Sequence, residues 1–344
     1  MDKRPRRTLI LVIAVFAALA VTLLLIADRY WIERAEEIPE QPVLSSPEAL
    51  APEPSAPALS QEDKSAATEV PADLPKDAPT DSKGPEAPQP VQLVLEGDFV
   101  HRYEDEGCTI QIQRVVEGAG QDQLVYFLAE IVLDDPSRLS TAFAKDTFGR
   151  NYREKTSEMA ARETALLAIN GDYYGYRTDG LIIRNGILYR DEGVREGAAL
   201  LADGSLIVYD ETETSAVELL EQGALHSFSF GPILVRDGQP NLDPQSDVKP
   251  LNPRTGFGML APGHYLLVVV DGRMKGYSKG MKIVDFARLM ASYGCQTAYN
   301  LDGGGTSTMI FEGQLVNLPQ GRDIERSVSD ILYIRAPGEE VFIE

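Results

Sequence analysis

Cysteine and histidine are scarce in this sequence of 344 residues, which has two of the first and three of the second. Two cysteines cannot form a disulfide framework, so Cys108 and Cys295 are expected to be small buried thiols, with a single bridge as the alternative. His101, His226 and His264 are scattered and show no metal-ligand spacing. A zinc site is therefore not expected, and we predict no bound cofactor.

Basic residues are also few, because 32 lysines and arginines face 53 acidic residues and leave a formal net charge of −21. No basic run occurs beyond the first seven residues. Binding of nucleic acid requires a basic surface. We therefore expect no nucleic-acid partner.

Charge is absent from one long stretch, residues 8–27, which follows a basic tail at 1–7. As a helix these 20 residues would measure about 30 Å, the thickness of a bilayer core. The pattern predicts a retained transmembrane helix, with the N-terminus cytoplasmic and the C-terminal domain extracellular. A cleaved signal peptide is the alternative. The membrane is thus an expected partner, and a single-pass protein of the cell membrane is the expected localisation.

Residues 28–90 are rich in proline, alanine and glutamate and show no apolar period. Such a segment cannot bury enough apolar surface to offset the entropy of ordering its chain. We predict a disordered stalk that acts as a spacer. A tail without a role is the alternative.

Globular patterning begins at residue 91 and continues to 344. Apolar runs joined by short glycine turns, such as LIIRNGILYR and LLADGSLIVY, predict hairpins. Segments with helical spacing are few, with MKIVDFARLMASYG among them. We therefore predict a single α+β domain with a mixed, hairpin-rich β-sheet and a few packed helices.

Polar clusters stand at the ends of predicted strands, which is where loops on a rigid scaffold gather a site. Each cluster has an ordinary alternative as a turn or a surface ion pair. The clusters contain Asn170 with Asp172, Arg254 before a strand, Asp271 after LLVVV, Asp302 after AYNL, and Arg326 with Asp330.

The stretch YNLDGGGTSTM has an unusual run of three glycines directly after Asp302. Three glycines carry an entropic cost, and a tight hairpin needs only one or two. Exposed N–H groups with hydroxyls beside them would form a nest for phosphate or sugar oxygens. We predict a ligand-binding loop made of Gly303, Gly304, Gly305, Thr306 and Ser307.

Several motifs occur together in a characteristic order, namely AINGDYY, FGPILV, NPRTGFG, VVVDGR, YSKGM, YNLDGGGTSTM and ERSVSD. In this order they resemble the phosphodiester glycosidase family, over roughly residues 95 to 337. The resemblance implies hydrolysis of a sugar-1-phosphodiester at the sugar carbon.

The resemblance also implies roles for the clustered residues. Arg254 suits a phosphate clamp, with Arg326 as a second candidate, because guanidinium groups match phosphate oxygens. Asp302 and Asp271 are the expected carboxylate pair, and Asn170 and Asp172 are expected to hold sugar hydroxyls.

One departure from the family's pattern concerns Asp330, which stands where an amide is expected, and Ser327, which stands where a proline is expected. Asp330 either adds a carboxylate to the site or weakens its binding of anions. Clustered carboxylates would also suit a divalent cation, which stays an alternative to a metal-free site.

The sequence thus predicts a hydrolase that acts on glycosyl phosphodiesters of the cell envelope or of extracellular glycans, with a glycan or sugar-phosphate substrate as partner. One alternative is a non-catalytic module that binds anionic envelope polysaccharide. Another is a phosphodiesterase that cuts the P–O bond. A purely structural wall protein would have little use for the clustered polar residues.

Overall fold

The computed structural model describes residues 4–42, 44, 92–244, 251–319 and 324–337. Four α-helices lie in this part of the chain: α1 Arg4–Tyr30, α2 Thr156–Arg162, α3 Ala216–Glu221 and α4 Ile283–Ser292. The same residues form the strands β1 Arg34–Ala35, β2 His101–Asp105, β3 Cys108–Glu117, β4 Leu124–Leu133, β5 Leu139–Phe143, β6 Gly149–Arg150, β7 Ala165–Asn170, β8 Gly180–Arg184, β9 Ile187–Glu192, β10 Glu196–Leu201, β11 Leu206–Asp210, β12 Ala224–Phe228, β13 Ile233–Arg236, β14 Gln239–Pro240, β15 Arg254–Ala261, β16 His264–Val270, β17 Thr297–Asn300, β18 Met309–Phe311, β19 Gln314–Leu315 and β20 Asp330–Arg335.

Two large sheets dominate the domain. One has eight strands in the order β14-β13-β17-β15-β16-β4-β3-β2, and the other has five in the order β19-β18-β7-β20-β5. A three-stranded sheet, β11-β10-β12, and the pair β8-β9 complete it, together with the short pair β1-β6. The predicted α+β domain, rich in sheet and poor in helix, is confirmed. Strand direction is more uniform than in the mixed sheet that we predicted, because each strand pair in the described residues is antiparallel.

The cores follow the period of two that strands impose on their side chains. Along β16, Tyr265, Leu267 and Val269 face the core shared with the five-stranded sheet. Leu266 and Val268, which alternate with them, face a second core that is covered by α4. A third core lies between the five-stranded sheet and α2. The eight-stranded sheet is therefore buried on both faces, and its loops form at the ends of well-packed strands.

Predicted hairpins appear where glycine turns indicated them. The β8–β9 turn places both Asn185 and Gly186 at positive φ, 51° and 73°, which is the conformation that a two-residue hairpin with Asn-Gly favours. The two cysteines are free and buried, in agreement with the expected buried thiols. Burial raises the pKa of Cys108 to about 11 and that of Cys295 to about 12, so both are inert at neutral pH.

Helix α1 covers the predicted membrane span. Among the described residues, however, no helix is both long and apolar enough to cross a bilayer. The transmembrane prediction is therefore not supported. Charged residues occupy both ends of α1, where Arg4 opens the helix and Asp28 and Arg29 precede its last residue. The expected orientation and localisation are untested by the structure and stay predictions.

The chain after α1 contacts the domain before it reaches the residues that are not described. Strand β1 pairs with β6. The side-chain amide of Gln41 donates to the carbonyl of Leu188 at 2.9 Å and accepts from the N–H of the same residue at 2.8 Å. The predicted disordered stalk therefore does not begin at residue 28. Residue 43 and residues 45–90 of that prediction lie outside the described residues.

Candidate active site

Four loops meet at one end of the two large sheets. They follow β7, β16 and β17 and precede β15. The N–H of Asp302 donates to the carbonyl of Gly171 at 3.1 Å, and the N–H of Gly304 donates to that of Pro253 at 3.1 Å. A pocket of about 80 Å³ opens between the loops, lined by Phe230, Asn252, Pro253, Arg254, Arg273, Asn300, Leu301, Asp302, Gly303 and Gly304.

Asp302 is the carboxylate of this pocket. Burial raises its pKa to about 7, and the nearby negative charge of Asp172 acts in the same direction. The N–H of Gly303 donates to its Oδ1 at 2.8 Å and opposes the shift, as does the positive charge of Arg326. A carboxyl group with its pKa near neutrality, in a cleft, is the usual state of a catalytic acid or base.

Two guanidinium groups line the same pocket. Arg254 is 2% exposed, and its Nε donates to the carbonyl of Met281 at 3.0 Å. Burial, together with the positive charge of Arg273, lowers the pKa of Arg254 to about 10, so it stays protonated at neutral pH. Arg273 donates from Nε and Nη2 to Oδ1 of Asn252 at 3.1 and 2.7 Å, and this acceptor is neutral. An anion between the two arginines would relieve their mutual repulsion.

The glycine loop has a different use from the nest that we predicted. The N–H groups of Gly303 and Gly304 are bonded within the protein, to Asp302 and Pro253. A Cβ on Gly304, whose φ is +78°, would lie 2.9 Å from Nη2 of Arg273. A Cβ on Gly303 would lie 3.0 Å from the carbonyl oxygen of Pro253. These two glycines thus let Arg273 and the chain before β15 approach the loop closely, while Gly305 is buried inside a short 3₁₀ turn.

The hydroxyl residues of the loop divide into two kinds. Thr306 donates to the carbonyl of Gly303 at 2.8 Å and stabilises the turn. The buried Ser307 hydroxyl has no hydrogen-bond partner among the described residues. Neither residue lines the pocket. The pocket lining therefore does not support their predicted role in binding substrate, which stays a prediction.

Asn170 joins three of the loops instead of facing a substrate. Its Oδ1 accepts from the Thr255 hydroxyl at 2.8 Å and from the N–H of Thr308 at 3.2 Å. Its Nδ2 donates to the carbonyl of Asp302 at 2.7 Å. The side chain is fully buried, and its hydrogen bonds within the protein do not support the predicted contact with a sugar hydroxyl. It positions Asp302.

Asp271 is not the partner of Asp302 that we predicted. Its Oδ1 accepts from Nδ2 of Asn317 at 2.7 Å, and its Oδ2 accepts from the Tyr277 hydroxyl at 2.7 Å and the N–H of Leu318 at 3.1 Å. The residue is fully buried and does not line the pocket. Both carboxylate oxygens are occupied, so Asp271 supports the loops that surround it.

Asp172 is the carboxylate whose charge acts on Asp302. It is 1% exposed, and its oxygens accept from the N–H groups of Tyr173 at 2.5 Å and Ser229 at 2.6 Å. It does not line the pocket, so it acts on Asp302 through its charge. The predicted role in holding a sugar hydroxyl is not supported.

The unexpected acid Asp330 has a buried cation as its partner. Arg184 Nη2 lies 2.6 Å from its Oδ2, and the N–H of Asp172 donates to its Oδ1 at 2.7 Å. Burial and the charge of Asp172 raise the pKa of Asp330, while Arg184 opposes that rise. Asp330 therefore neither joins the pocket nor repels an anion there. Its predicted role in binding substrate is not supported, because it pairs with Arg184 inside the domain.

Arg326 is exposed, unlike the two pocket arginines. Its charge acts on Asp302 and on Tyr173, which places it near the entrance. It is not among the pocket-lining residues. Arg273 lines the pocket in its place, and the expected part of Arg326 in a phosphate clamp stays a prediction.

The sequence reasoning missed several pocket residues, namely Phe230, Asn252, Arg273 and Asn300. All four stand inside the motifs FGPILV, NPRTGFG, VVVDGR and YNLDGGGTSTM, so position in a motif was the available signal. Among the described residues no group of three or more histidine, cysteine, aspartate or glutamate side chains could hold a metal ion. The carboxylates near the pocket are instead committed to hydrogen bonds and to Arg184.

Comparison with known proteins identifies the family of this chain. The model of the phosphodiester glycosidase family matches residues 163–335, which is half of the chain and contains every pocket-lining residue. The chain belongs to the phosphodiester glycosidase family.

Two curated proteins are similar in sequence. The SPbeta prophage-derived uncharacterized protein YomE of Bacillus subtilis (strain 168) is 35% identical over 206 residues, covering 56% of this chain and 31% of that protein. N-acetylglucosamine-1-phosphodiester alpha-N-acetylglucosaminidase of Bos taurus is 25% identical over 188 residues, covering 48% of this chain and 35% of that protein. The matched region thus spans about a third of each of these relatives.

A solved structure shares the fold. The catalytic domain of zebrafish N-acetylglucosamine-1-phosphodiester alpha-N-acetylglucosaminidase, auto-inhibited by its pro-peptide in that structure, aligns with a TM-score of 0.55 at 22% identity. The alignment covers 67% of this chain and 84% of that chain.

Proposed function

We propose that this protein hydrolyses a sugar-1-phosphodiester at the anomeric carbon of the sugar, as part of a glycan or as a smaller sugar phosphate. The observation that carries the proposal is the presence of Asp302, with its pKa at about 7, in one pocket with the guanidinium groups of Arg254 and Arg273. The pocket combines a proton-transfer group with an anion clamp. Membership of the phosphodiester glycosidase family supports the same reaction.

The phosphate is assigned to the two arginines. Guanidinium groups bind phosphate oxygens through paired N–H donors and keep their charge at neutral pH. Arg254 is held by the carbonyl of Met281, and Arg273 is held by Asn252. Both cations are therefore positioned before the substrate arrives, which reduces the cost of organising the site during the reaction.

The ionised form of Asp302 acts as the general base. It takes a proton from a water molecule as the water oxygen bonds to the anomeric carbon, and the bond from that carbon to the phosphate oxygen breaks. The electron pair stays on the phosphate oxygen, where Arg254 and Arg273 stabilise the charge. A phosphomonoester is a good leaving group, so a separate general acid is less necessary than for an ordinary glycoside.

Hydrolysis in ¹⁸O-labelled water tests this proposal directly. The full-length protein is incubated with sugar-1-phosphodiesters, among them α-N-acetylglucosamine-1-phospho esters, and the products are analysed by mass spectrometry. Label on the anomeric oxygen of the sugar is the expected result. Label on the phosphate would replace the proposal with cleavage of the P–O bond. Saturable binding without turnover would replace it with a binding module for anionic glycans.

A further inference from the structure

Asn300 is a buried pocket residue with one unused hydrogen-bonding atom. It ends β17 and is 1% exposed. Its Nδ2 donates to the carbonyl of Gly231 at 2.8 Å, and its N–H donates to the carbonyl of Pro232 at 3.2 Å. In the described part of the chain, its Oδ1 accepts no hydrogen bond.

The orientation of the amide follows from its one side-chain contact. Rotating the amide by half a turn would set Oδ1 against the carbonyl oxygen of Gly231, where two acceptors would repel each other. The nitrogen is therefore committed to Gly231. The side-chain atom without a hydrogen-bond partner is therefore the acceptor Oδ1.

Other buried asparagines near the pocket use their acceptor oxygens. Oδ1 of Asn170 accepts two hydrogen bonds, and Oδ1 of Asn317 accepts from the N–H of Met309 at 2.8 Å. A buried acceptor without a donor is unfavourable, and such groups are few in folded proteins. Asn300 is therefore a candidate for a partner that arrives with the substrate.

The strand direction sets Asn300 beside the reacting group. Tyr299 and Leu301 belong to the core between the large sheets, so the residues that alternate with them face the other way. Those residues are Asn300 and Asp302, and both line the pocket. The pocket measures about 80 Å³. A substrate atom that contacts Asn300 there would lie close to the anomeric carbon, where Asp302 is proposed to act.

We propose that Asn300 determines specificity by accepting, at Oδ1, a hydrogen bond from the substituent on the ring carbon next to the anomeric carbon. That donor is a hydroxyl or an amide N–H. The inference rests on the proposed function for its substrate class. It adds that the enzyme distinguishes sugars by a donor at this position.

The test is a cycle in which the donor is removed from the substrate and the acceptor is removed from the protein. We would measure kcat/KM for a sugar-1-phosphodiester and its 2-deoxy analogue with the wild type and with Asn300→Ala. The wild type is expected to lose about 10- to 100-fold on the deoxy analogue. In Asn300→Ala the preference for the substrate with the donor is expected to fall about 10- to 100-fold below the wild-type value, since the acceptor is gone and the intrinsic reactivity of the deoxy sugar is the same for both proteins. Equal losses in both proteins would overturn the proposal.

Matched variants guard against a general effect on folding. Asn241 also donates from Nδ2 to a backbone carbonyl, that of Ile233 at 3.0 Å, but it does not line the pocket. Asn241→Ala should keep the wild-type preference for the substrate with the donor. Asn300→Ser retains a small acceptor and should recover part of that preference. If Asn300→Ala does not fold, equal kcat/KM values for both substrates with the wild type would overturn the proposal.

Binding measurements separate this inference from the proposed function. The affinities of the wild type for a sugar 1-phosphate, its 2-deoxy analogue and inorganic phosphate are measured by calorimetry, and turnover is not needed. Tighter binding of the sugar 1-phosphate than of the deoxy analogue, without turnover of any diester, would support the role of Asn300 and reject hydrolysis. Turnover with equal affinities and equal rates would support hydrolysis and reject the role, because a water molecule would then satisfy Oδ1. Neither binding nor turnover would reject both.

Discussion

Asp302 and Asp271 occupy similar positions in the sequence and play opposite parts in the structure. Each follows an apolar strand of the eight-stranded sheet, each precedes a glycine, and burial raises the pKa of each. Asp271 accepts hydrogen bonds at both oxygens from three donors. Asp302 lines the pocket, and its hydrogen-bond donors, the N–H of Gly303 at 2.8 Å and the Thr306 hydroxyl, come from its own loop. The origin of the donors, more than burial, separates a carboxylate held by neighbouring loops from one that faces the pocket.

The largest effect is expected from Asp302→Asn. An amide cannot take a proton from water, so kcat should fall by about 10²- to 10⁴-fold, the range of general-base catalysis. The wild-type kcat/KM should rise with pH through about 7, because the ionised form is the active one. Steady-state kinetics from pH 5 to 9 would measure both. Activity that falls with rising pH in this range would assign Asp302 as an acid instead of a base.

A loss of similar size, but in stability, is expected from Arg184→Met. The change leaves Asp330 buried without its cation, which costs about 3–5 kcal/mol. The double variant Arg184→Met with Asp330→Asn removes both charges and should regain most of that loss. Denaturant unfolding of the two single variants and the double variant measures the coupling. Additive effects would show that the pair contributes little. Asp330 could then no longer be compared with Asp271 as an acid that its neighbours stabilise.

Asp302→Asn should also change the dependence of stability on pH. The folded-state pKa of about 7 lies above the ordinary value of 3.8, so the folded state binds the proton more tightly than the unfolded state. The associated stability is present at low pH and is lost as the pH rises from about 4 to about 7. Above pH 7 the asparagine variant should thus be more stable, by roughly 2–4 kcal/mol. Thermal unfolding of both proteins at pH 5 and pH 8 isolates this group, since the other titrating groups are shared.

Asp271→Asn should lower stability and leave kcat nearly unchanged, which is the reverse of what we expect for Asp302→Asn. An amide nitrogen at this position would face an N–H donor, either that of Asn317 or that of Leu318, and one hydrogen bond would become a clash. We expect a loss of about 1–3 kcal/mol in unfolding free energy with kcat close to that of the wild type. Denaturation curves and kinetics on the same preparation check this. A large loss of kcat in well-folded protein would return Asp271 to the catalytic pair.

Arg273→Lys should have the smallest effect. The lysine keeps the charge but loses the planar fork that contacts both Asn252 and a phosphate. A decrease of about 1–2 kcal/mol in binding, or roughly 5–30-fold in kcat/KM, is expected. Arg288→Lys on the exposed face of α4, where Arg288 pairs with Asp285 at 3.0 Å, is the matched control. An equal effect of both changes would exclude Arg273 from the anion clamp.

The sequence by itself determined the α+β class, several hairpins and the identity of Asp302, Arg254 and the glycine loop as parts of one site. These features depend on local patterns, since apolar alternation, Asn-Gly turns and motif order can be read without knowing which strands are neighbours. It also indicated the family through the order of its motifs.

Only the tertiary structure decided which acids line the pocket and which are held by other residues, because hydrogen-bond donors come from residues far apart in the chain. Asp271 is occupied by donors near residue 317, and Asp330 is neutralised by Arg184, which lies 146 residues away. Arg273 reached the pocket because Gly304 has no side chain to obstruct it. Charge and burial at a site are properties of packed neighbours, and strand order brings those neighbours together across distances that no local pattern spans.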